Sequence, residues 1–260
     1  MKELIKSLLP KKVLNGLRNR NIDLSEYHLL PKKDITYSAD LLYTFHNADF
    51  QKLGRFPEAY ALCKAIGGRL LENYDIQWRV HVLCWAAAHG AKLEGDFVDC
   101  GVYTGFCTRA IMHYVDFART NKTYYLMDTF QGLHEEYSTA YELQRNDKMG
   151  YNASQDLYAT VQNTFKDFRV NIIKGPIPET LPQAVPERVA FLSIDMNTAL
   201  PEVAAMEHFW PRMSSGAFIV LDDYGYPGCL NQKLAHDEWA KSKGVEVLSL
   251  PTCQGLIIKP

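Results

Sequence analysis

The feature that most constrains this sequence is a glycine-containing loop between an apolar run and a helix-like segment. The run Phe97–Asp99 is followed by Gly101 and Gly105, four residues apart, and then by residues with helical character. Proteins of the α/β class use strand, glycine turn and helix N-terminus in this order to bring backbone N–H groups close to a nucleotide-like ligand. Glycine suits such a turn because a side chain would collide with the ligand or because φ must be positive. We therefore predict a ligand-binding loop at residues 101–105.

A second apolar run favours an adenosine-containing cofactor. Tyr124–Met127 ends in Asp128, and an acidic residue at the tip of the second strand is the usual partner of a ribose diol. The glycine pair alone also arises by chance in α/β folds, so the prediction depends on both features together. The spacing of the two glycines indicates S-adenosyl-L-methionine rather than a cofactor with a pyrophosphate group.

The composition argues against several classes of function. The chain has 260 residues, 47% hydrophobic and 22% charged, which fits one large globular domain or one domain with an appendage. A net charge of −2 gives no basic surface for nucleic acid or an anionic membrane. The six cysteines contain no C-x-x-C pair, so neither a disulfide framework nor a zinc site is indicated. Without a signal peptide or an apolar run of about 18 residues, we expect a soluble, cytoplasmic protein.

From residue 97 onward, apolar runs alternate with helical segments as in a doubly wound sheet. The predicted strands are Phe97–Asp99, Tyr124–Met127, Val170–Lys174, Val189–Ile194, Ala217–Leu221, Val245–Leu250 and Gly255–Lys259. The predicted helices are 105–119, 154–168, 200–212 and 229–243. The last two strands are so close in sequence that they form a hairpin, which makes the final strand antiparallel. The predicted fold class is therefore α/β, the Rossmann-like S-adenosylmethionine methyltransferase fold, with a mostly parallel seven-stranded sheet and one antiparallel strand.

The sequence predicts two domains. Residues 1–92 are expected to form a helical N-terminal arm and cap, with helices within 40–66 and 75–88 and a basic arm up to about residue 35. A dimerisation or packing element is the alternative role for this region. Residues 93–260 are expected to form the methyltransferase domain.

A polar, tyrosine-rich insertion at about residues 131–153 follows the second strand. Loops of this length inside a compact domain are usually functional lids or are disordered. Its position beside Asp128, above the strand ends, favours a lid. His134, at the base of the insertion, is a candidate to face a second substrate.

Three aspartates follow two later strands of the predicted sheet. Asp195 comes directly after Val189–Ile194, and Asp222 and Asp223 come directly after Ala217–Leu221. Carboxyl ends of parallel strands meet at one edge, and three carboxylates there repel one another unless a cation lies between them. Hard oxygen ligands without Cys or His favour Mg²⁺ or Ca²⁺. The structural alternative is that Asp-Asp caps a helix or forms a turn.

Four segments together resemble the macrocin O-methyltransferase family, whose members methylate sugar hydroxyls on macrolide and aminocoumarin antibiotics. They are residues 97–105, 126–133 with D-T-F-Q-G-L, 173–182, and 211–225 with D-D-Y-G. The resemblance covers about residues 95–260, and the helical N-terminus matches only loosely.

The resemblance implies S-adenosyl-L-methionine as cofactor and assigns its contacts to a set of loop residues. These are Asp99, Gly101, Tyr103, Gly105, Asp128, Thr129, Phe130 and Gly175. In this assignment the glycine loop holds the methionine end, Asp128 binds the ribose hydroxyls, and the turn at Gly175 lies beside the adenine.

The resemblance also implies Mg²⁺, bound by Asp195, Asp222 and Asp223. The metal would hold the acceptor and lower the pKa of its reacting hydroxyl, with Asp195 as general base, before in-line attack on the sulfonium methyl group. The expected partner is a small, hydroxylated, sugar-containing acceptor, and neither nucleic acid nor a membrane is expected to bind. The helical N-terminus suggests a homodimer.

The chain departs from the family at one motif. Members usually read D-G-D-[LM]-Y where this chain has Asp195-Met196-Asn197-Thr198-Ala199, so the shape of the acceptor site near Asn197 is open. A non-catalytic, regulatory S-adenosylmethionine-binding protein on the same fold is an alternative function. Nucleotide-sugar or phosphate chemistry at the carboxylates is a third, which the lack of a P-loop lysine motif disfavours.

Overall fold

A computed structural model of the chain describes residues 32–72, 74–149 and 156–260. Its backbone contacts divide it into two compact units, Met1–Ala48 and Asp49–Pro260, and each is described by itself. Most of the predicted basic arm lies outside the described residues. None of the helices within the described ranges is both long and apolar enough to cross a membrane.

The described part of the first unit contains a β-hairpin where the sequence predicted the start of a helix. Strand β1 (Tyr37–Ala39) pairs antiparallel with β2 (Leu42–Thr44). Asp40 and Leu41 form the turn with φ of 49° and 60°. Two consecutive left-handed residues make the hairpin turn that matches strand twist, and they cannot continue a right-handed helix. The helical prediction from residue 40 is therefore wrong at this end.

The second unit contains the remaining regular structure. Its α-helices are α1 (Phe56–Gly67), α2 (Arg69–Glu72), α3 (Gln77–Gly90), α4 (Phe106–Tyr114), α5 (Ala140–Met149), α6 (Leu157–Phe165), α7 (Ala199–Phe209) and α8 (Leu230–Ser242). Its strands are β3 (Asp96–Cys100), β4 (Tyr124–Asp128), β5 (Val170–Lys174), β6 (Val189–Ile194), β7 (Met213–Leu221), β8 (Leu248–Ser249) and β9 (Gly255–Ile258). Short 3-10 turns lie at Asp49–Lys52, Phe117–Arg119, Glu135–Tyr137, Leu181–Gln183 and Trp210–Arg212.

These strands form a seven-stranded sheet in the order β5-β4-β3-β6-β7-β9-β8. The pairs from β5 through β7 are parallel, and β9 runs antiparallel to both β7 and β8. The predicted sheet with one antiparallel strand is therefore confirmed. The order reverses between β3 and β6, and open α/β sheets bind ligands in the crevice at such a switch point.

Central strands and flanking helices bury the core on both faces of the sheet. All six residues of β6 are buried, as expected for a parallel strand covered on both sides. On β3, Phe97 belongs to one hydrophobic cluster and Val98 to the other, because successive side chains point to opposite faces.

Helices α1 and α3, which the sequence placed in a separate cap, contribute to the same cluster as Phe97. A Cβ atom on Gly90 of α3 would lie 2.5 Å from the carbonyl oxygen of Ala190 on β6. Only glycine allows this close approach of helix and strand. Backbone contacts accordingly put the division between units after Ala48 rather than at residue 92.

Several boundaries differ from the prediction for local reasons. The helix expected at 105–119 ends at Tyr114, because Asp116 has a left-handed φ of 55°. The strand expected at Val245–Leu250 is reduced to Leu248–Ser249 at the sheet edge. The insertion at 131–153 contains a 3-10 turn and α5, and its last four residues lie outside the described ranges.

Candidate active site

The glycine loop after β3 has a conformation that requires glycine at both predicted positions. Gly101 has φ of 96°, and a Cβ atom there would lie 1.8 Å from the carbonyl oxygen of Asp195. Gly105 has φ of 81°, and its Cβ atom would lie 2.5 Å from the ring of Phe165. Side chains are excluded at both positions by sterics and by backbone conformation. The loop therefore packs closely against Asp195, the residue that follows β6.

Asp128 holds this loop in place from the end of β4. Its Oδ2 accepts hydrogen bonds from the N–H groups of Val102 and Tyr103, both at 2.7 Å. Its Oδ1 accepts the N–H of Phe130 at 2.6 Å. Bonds from N–H groups to a carboxylate are short and strong. The contact of Asp128 with ribose hydroxyls stays a prediction, and its observed partners are backbone amides.

Asp99 lies behind the loop rather than on a cavity wall. It is 4% exposed and accepts a hydrogen bond from the hydroxyl of Thr108 on α4. Burial raises the pKa of Asp99 to about 7, although hydrogen bonds from Thr108 and Ser193 partly oppose the shift. Asp99 therefore ties β3 to α4, and the direct cofactor contact predicted for it is not seen among the lining residues.

A cavity runs along the carboxyl ends of the central strands. The predicted residues on its wall are Gly101, Tyr103, Asp128, Thr129, Gly175 and Asp195. Gly105 and Phe130 are not on this wall; the ring of Phe130 packs instead against Tyr158, with centroids 5.4 Å apart. We call this space the first cavity.

The sequence missed the apolar part of the first cavity. Met127, Leu133, Leu157 and Ile177 line it, and they look like ordinary core residues in sequence. His134, predicted to face the acceptor, lines the first cavity as well. A largely apolar pocket with a few polar groups is the usual form of a small-molecule site.

A second cavity lies on the other side of Asp195. Its polar residues are Arg79, Arg145, Asp195, Asn197, Asp222 and Asp223. Its apolar residues include Leu70, Leu71, Ile76 and Leu83. Phe106, Asp195 and Asn197 line both cavities. Ligands bound in the two cavities would therefore approach each other at these three residues.

Strand register brings the predicted acidic residues together. Ile194 on β6 pairs with Leu221 on β7, so Asp195 and Asp222 leave the sheet side by side. The N–H of Asp222 donates to the carbonyl oxygen of Ile194 at 3.0 Å. Asp195, Asp222 and Asp223 all line the second cavity. The clustering of the three carboxylates is thus as predicted from their positions after adjacent strands.

The cation beside two of these carboxylates is an arginine that the sequence analysis did not single out. Arg79 on α3 forms an ion pair with the carboxylate of Asp222 and another with Asp223, at 2.9 Å. Asp222 and Asp223 follow Arg79 by 143 and 144 residues in the sequence. No local motif signals a pair at that separation.

Asp195 carries a strongly perturbed carboxyl group. Burial raises its pKa well above the usual range, and the negative charges of Asp222 and Asp223 add to this, whereas Arg79 opposes it. The side-chain amide of Asn197 lies 3.4 Å from Asp195 Oδ1. A carboxyl with a raised pKa is more basic than an exposed one, which suits proton abstraction from a hydroxyl.

The predicted Mg²⁺ site does not fit this arrangement. Carboxylate oxygens are suitable Mg²⁺ ligands, but the guanidinium of Arg79 is bonded to both Asp222 and Asp223. Within residues 32–72, 74–149 and 156–260, no group of three His, Cys, Asp or Glu side chains is placed to hold a metal ion. We therefore derive no chemical step from a metal.

The predicted lid helix is attached to the second cavity by two side chains. Arg145 on α5 donates to the carbonyl oxygen of Asn197 at 2.7 Å and to Gln232 at 2.9 Å. Glu142, also on α5, accepts the N–H of Ala199 at the start of α7, at 2.9 Å. All three hydrogen bonds join residues far apart in sequence, and none was foreseen.

Comparison with known families gives a match over most of the second unit. A sequence profile of the family described as Macrocin-O-methyltransferase (TylF) matches residues 79–247. The match covers more than half of the chain and contains the glycine loop, all three clustered aspartates and Arg79.

Curated relatives are similar over a shorter segment. The chain is 29% identical over 158 residues to the mycinamicin III 3''-O-methyltransferase of Micromonospora griseorubida, covering 56% of this chain and 61% of that protein. It is 27% identical over 150 residues to the 8-demethyl-8-(2,3-dimethoxy-alpha-L-rhamnosyl)-tetracenomycin-C 4'-O-methyltransferase of Streptomyces olivaceus, covering 53% and 56%. For the demethyldecarbamoylnovobiocin O-methyltransferase of Streptomyces niveus the identity is 25% over 147 residues, covering 52% and 55%. The chain thus spans a little over half the length of these relatives.

Solved structures share the fold, and the family match identifies the chain. The O-methyltransferase NovP has a TM-score of 0.64 at 18% identity, covering 79% of this chain and 99% of that one. The calicheamicin methyltransferase CalS11 has a TM-score of 0.58 at 13% identity, covering 82% and 94%. Identities this low show the methyltransferase fold alone. The profile match, however, covers the glycine loop and the three aspartates after β6 and β7, and the chain belongs to the macrocin O-methyltransferase family.

Proposed function

We propose that this protein is an S-adenosyl-L-methionine-dependent O-methyltransferase acting on a hydroxyl of a sugar or another polyol-bearing small molecule. The observation that carries the proposal is the meeting of two cavities at Phe106, Asp195 and Asn197. Methyl transfer needs a donor and an acceptor held in line, and enforced proximity supplies a large part of the rate. A shared wall containing a carboxyl group provides both requirements.

The first cavity is the proposed site of the methyl donor. In this proposal the left-handed loop at Gly101 and Tyr103 lets the backbone approach the amino-acid end of the ligand, and the adenine binds beside Gly175 and Ile177, which line the same cavity. S-adenosyl-L-methionine supplies an electrophilic sulfonium methyl group when bound. The residues of the chain orient that ligand and exclude water from it.

Asp195 is the proposed general base. Its carboxylate borders both cavities, so it can accept the proton of an acceptor hydroxyl in the second cavity as the oxygen attacks the methyl group. The amide of Asn197 is close enough to orient it. General-base catalysis of this kind contributes about 10²–10⁴-fold in rate.

The second cavity is the proposed acceptor site. Its leucine and isoleucine wall can hold an apolar part of the acceptor, while its arginines and aspartates can bind hydroxyl groups. The names of the relatives specify mycinamicin III, a rhamnosyl tetracenomycin and demethyldecarbamoylnovobiocin as the compounds that they methylate. A glycoside with an apolar aglycone is consistent with both the cavity and these names.

The remaining predictions on cofactors, assembly and location have separate tests. Mg²⁺ stays a prediction that the pairing of Arg79 with Asp222 and Asp223 does not support. The homodimer and the cytoplasmic location also stay predictions, to be tested by light scattering and by cell fractionation. The lid role of residues 131–153 is supported by the attachment of α5 through Arg145.

A non-catalytic, regulatory S-adenosylmethionine-binding protein is the alternative function. A regulatory protein would need only the first cavity. This alternative does not account for a second cavity that is bordered by Asp195, the proposed general base. We therefore favour the enzyme.

The first test is calorimetric titration of S-adenosylhomocysteine into the purified protein, followed by assays with methyl-labelled S-adenosylmethionine and a panel of glycosides. We expect micromolar binding and label transfer to at least one hydroxylated acceptor. Binding without transfer to any acceptor would favour the regulatory alternative. No binding would contradict the assignment of the first cavity.

A further inference from the structure

The acceptor cavity contains a cation that belongs to the protein itself. Arg79 reaches from α3 into the second cavity, where its side chain is 11% exposed. One terminal nitrogen, Nη2, donates to the carbonyl oxygen of Asp222 at 3.1 Å, to the carboxylate of Asp222, and to Asp223 Oδ1 at 2.9 Å. The side chains of Asp222 and Asp223 are only 15% and 12% exposed, so water screens these charges little.

Both carboxylate oxygens of Asp222 already accept side-chain hydrogen bonds. Oδ2 is bonded to Arg79, and Oδ1 accepts the side-chain amide of Gln254 at 3.0 Å. The backbone carbonyl of Arg79 lies 3.4 Å from that same amide nitrogen. A metal ion bound at Asp222 would therefore have to share this carboxylate with two nitrogen donors, one of them positively charged.

The charge balance of the cavity gives Arg79 its role. Three carboxylates on one cavity wall repel one another and resist ionisation unless a positive charge is close. Arg79 supplies that charge by direct contact with two of them and lowers the pKa of the third, Asp195. The planar, permanently charged guanidinium suits such multiple contacts better than a lysine ammonium does.

We propose that Arg79 is the resident cation of the acceptor cavity, taking the place beside Asp222 and Asp223 that a divalent metal would need. Its guanidinium offsets part of the negative charge of this acidic pair and positions the pair beside Asp195, and its edge on the cavity wall binds an acceptor oxygen. The binding of an acceptor oxygen by Arg79 rests on the proposed methyltransferase function. The charge-offsetting part does not, and it departs from the Mg²⁺ that the family resemblance implies.

The test uses calorimetry on the 260-residue protein, which is titrated first to saturation with S-adenosylhomocysteine and then with Mg²⁺. Mg²⁺ is titrated into the wild type, Arg79→Met, Arg79→Lys and the control Arg188→Gln. Arg188 is a half-exposed arginine paired with Glu94 at the protein surface. We expect no saturable Mg²⁺ isotherm for the wild type, Arg79→Lys or Arg188→Gln. Arg79→Met should gain one, because the guanidinium in direct contact with Asp222 and Asp223 is removed.

Two outcomes of the Mg²⁺ titrations overturn the proposal. One is a micromolar Mg²⁺ isotherm in the wild type that is lost in Asp222→Asn, since it would put a metal where Arg79 lies. The other is a folded Arg79→Met protein that binds no Mg²⁺, since it would remove the need for a compensating charge. Circular dichroism establishes whether each variant is folded.

A third arm keeps the proposal testable if Arg79→Met does not fold. Wild-type methyl transfer is measured with and without EDTA, and we expect less than a twofold change. A tenfold loss restored by Mg²⁺ would overturn the proposal. The S-adenosylhomocysteine titration fails only if the cofactor assignment is wrong, so failure of the proposed function is distinguishable from failure of this inference.

Discussion

The two cavities that meet at Asp195 are built in different ways. The first is shaped by backbone turns at the ends of β3, β4 and β5, where Gly101, Tyr103 and Gly175 have positive φ. The second is shaped by side chains such as Arg79, Arg145 and Asp223, which come from distant parts of the chain. A cavity made of backbone keeps its form while surrounding side chains vary, whereas one made of side chains changes with single substitutions. We infer that substitutions of single side chains change the proposed acceptor site in the second cavity more than the proposed cofactor site in the first.

The largest expected effect is at the residue shared by both cavities. Asp195→Asn removes the carboxylate that accepts the proton and should lower kcat by about 10²–10⁴-fold. Affinity for S-adenosylhomocysteine should change by less than about threefold, because the isosteric amide keeps the cavity wall. Stopped assays with labelled cofactor and calorimetry measure the two quantities. Unchanged kcat would mean that Asp195 is not the base.

The next largest effect is expected at Gly101, in the backbone turn that shapes the first cavity. Gly101→Ala places a Cβ atom 1.8 Å from the carbonyl oxygen of Asp195 and should lower the free energy of unfolding by about 3 kcal/mol. Binding of S-adenosylhomocysteine should be lost with it. The control is Gly244→Ala, with φ of 68° but nothing within 4 Å of the added atom, which should cost only about 1 kcal/mol. Equal losses from the two substitutions in urea unfolding would contradict the steric argument.

A pH effect should come from Asp99 beneath the glycine loop. Its folded-state pKa is raised to about 7 from the model-peptide value of 3.8, so the folded state holds a proton that the unfolded state has lost between these pH values. Stability of the wild type relative to Asp99→Asn should therefore fall as pH rises from about 4 to about 7, by about 1–4 kcal/mol.

The measurement for Asp99 is urea unfolding of both proteins without ligand across this pH range. The hydroxyl of Thr108 can donate to an asparagine oxygen as well as to the carboxylate, so the hydrogen bond to Asp99 is kept in the variant. A difference that is constant with pH would show that the Asp99 carboxyl is not shifted upward.

The smallest effect is expected at Arg145, whose side chain lines the second cavity. Arg145→Met removes the hydrogen bonds that hold Asn197 and the carbonyl of Gly228, and it should raise the KM for the acceptor by about tenfold. Affinity for S-adenosylhomocysteine should stay within about twofold. Lys243→Met, which loses a surface ion pair with Glu207, serves as the control and should leave both constants unchanged. A larger change in the affinity for S-adenosylhomocysteine than in the KM for the acceptor would contradict the assignment of Arg145 to the acceptor site.

Local patterns were sufficient for the strands and turns that build the first cavity. The predicted bounds of β5 and β6 agree with the structure, since short runs rich in β-branched and aromatic residues between turn residues favour strands. The positive φ of Gly101 and Gly105 was also predicted locally, from the order of strand, glycine turn and helix. The helix expected from Asp40 was wrong, because apolar spacing resembles a helix there while two left-handed residues turn the chain.

The sequence by itself determined the sheet, the glycine loop and the meeting of three aspartates, because each follows from the local order of strand, turn and helix. Only the tertiary structure decided that Asp128 is bonded to the loop and that Asp99 is buried behind it. It also decided that Arg79 is the cation beside Asp222 and Asp223. Side chains more than a hundred residues apart meet only when the whole sheet has formed, and no short pattern records which of many arginines arrives there.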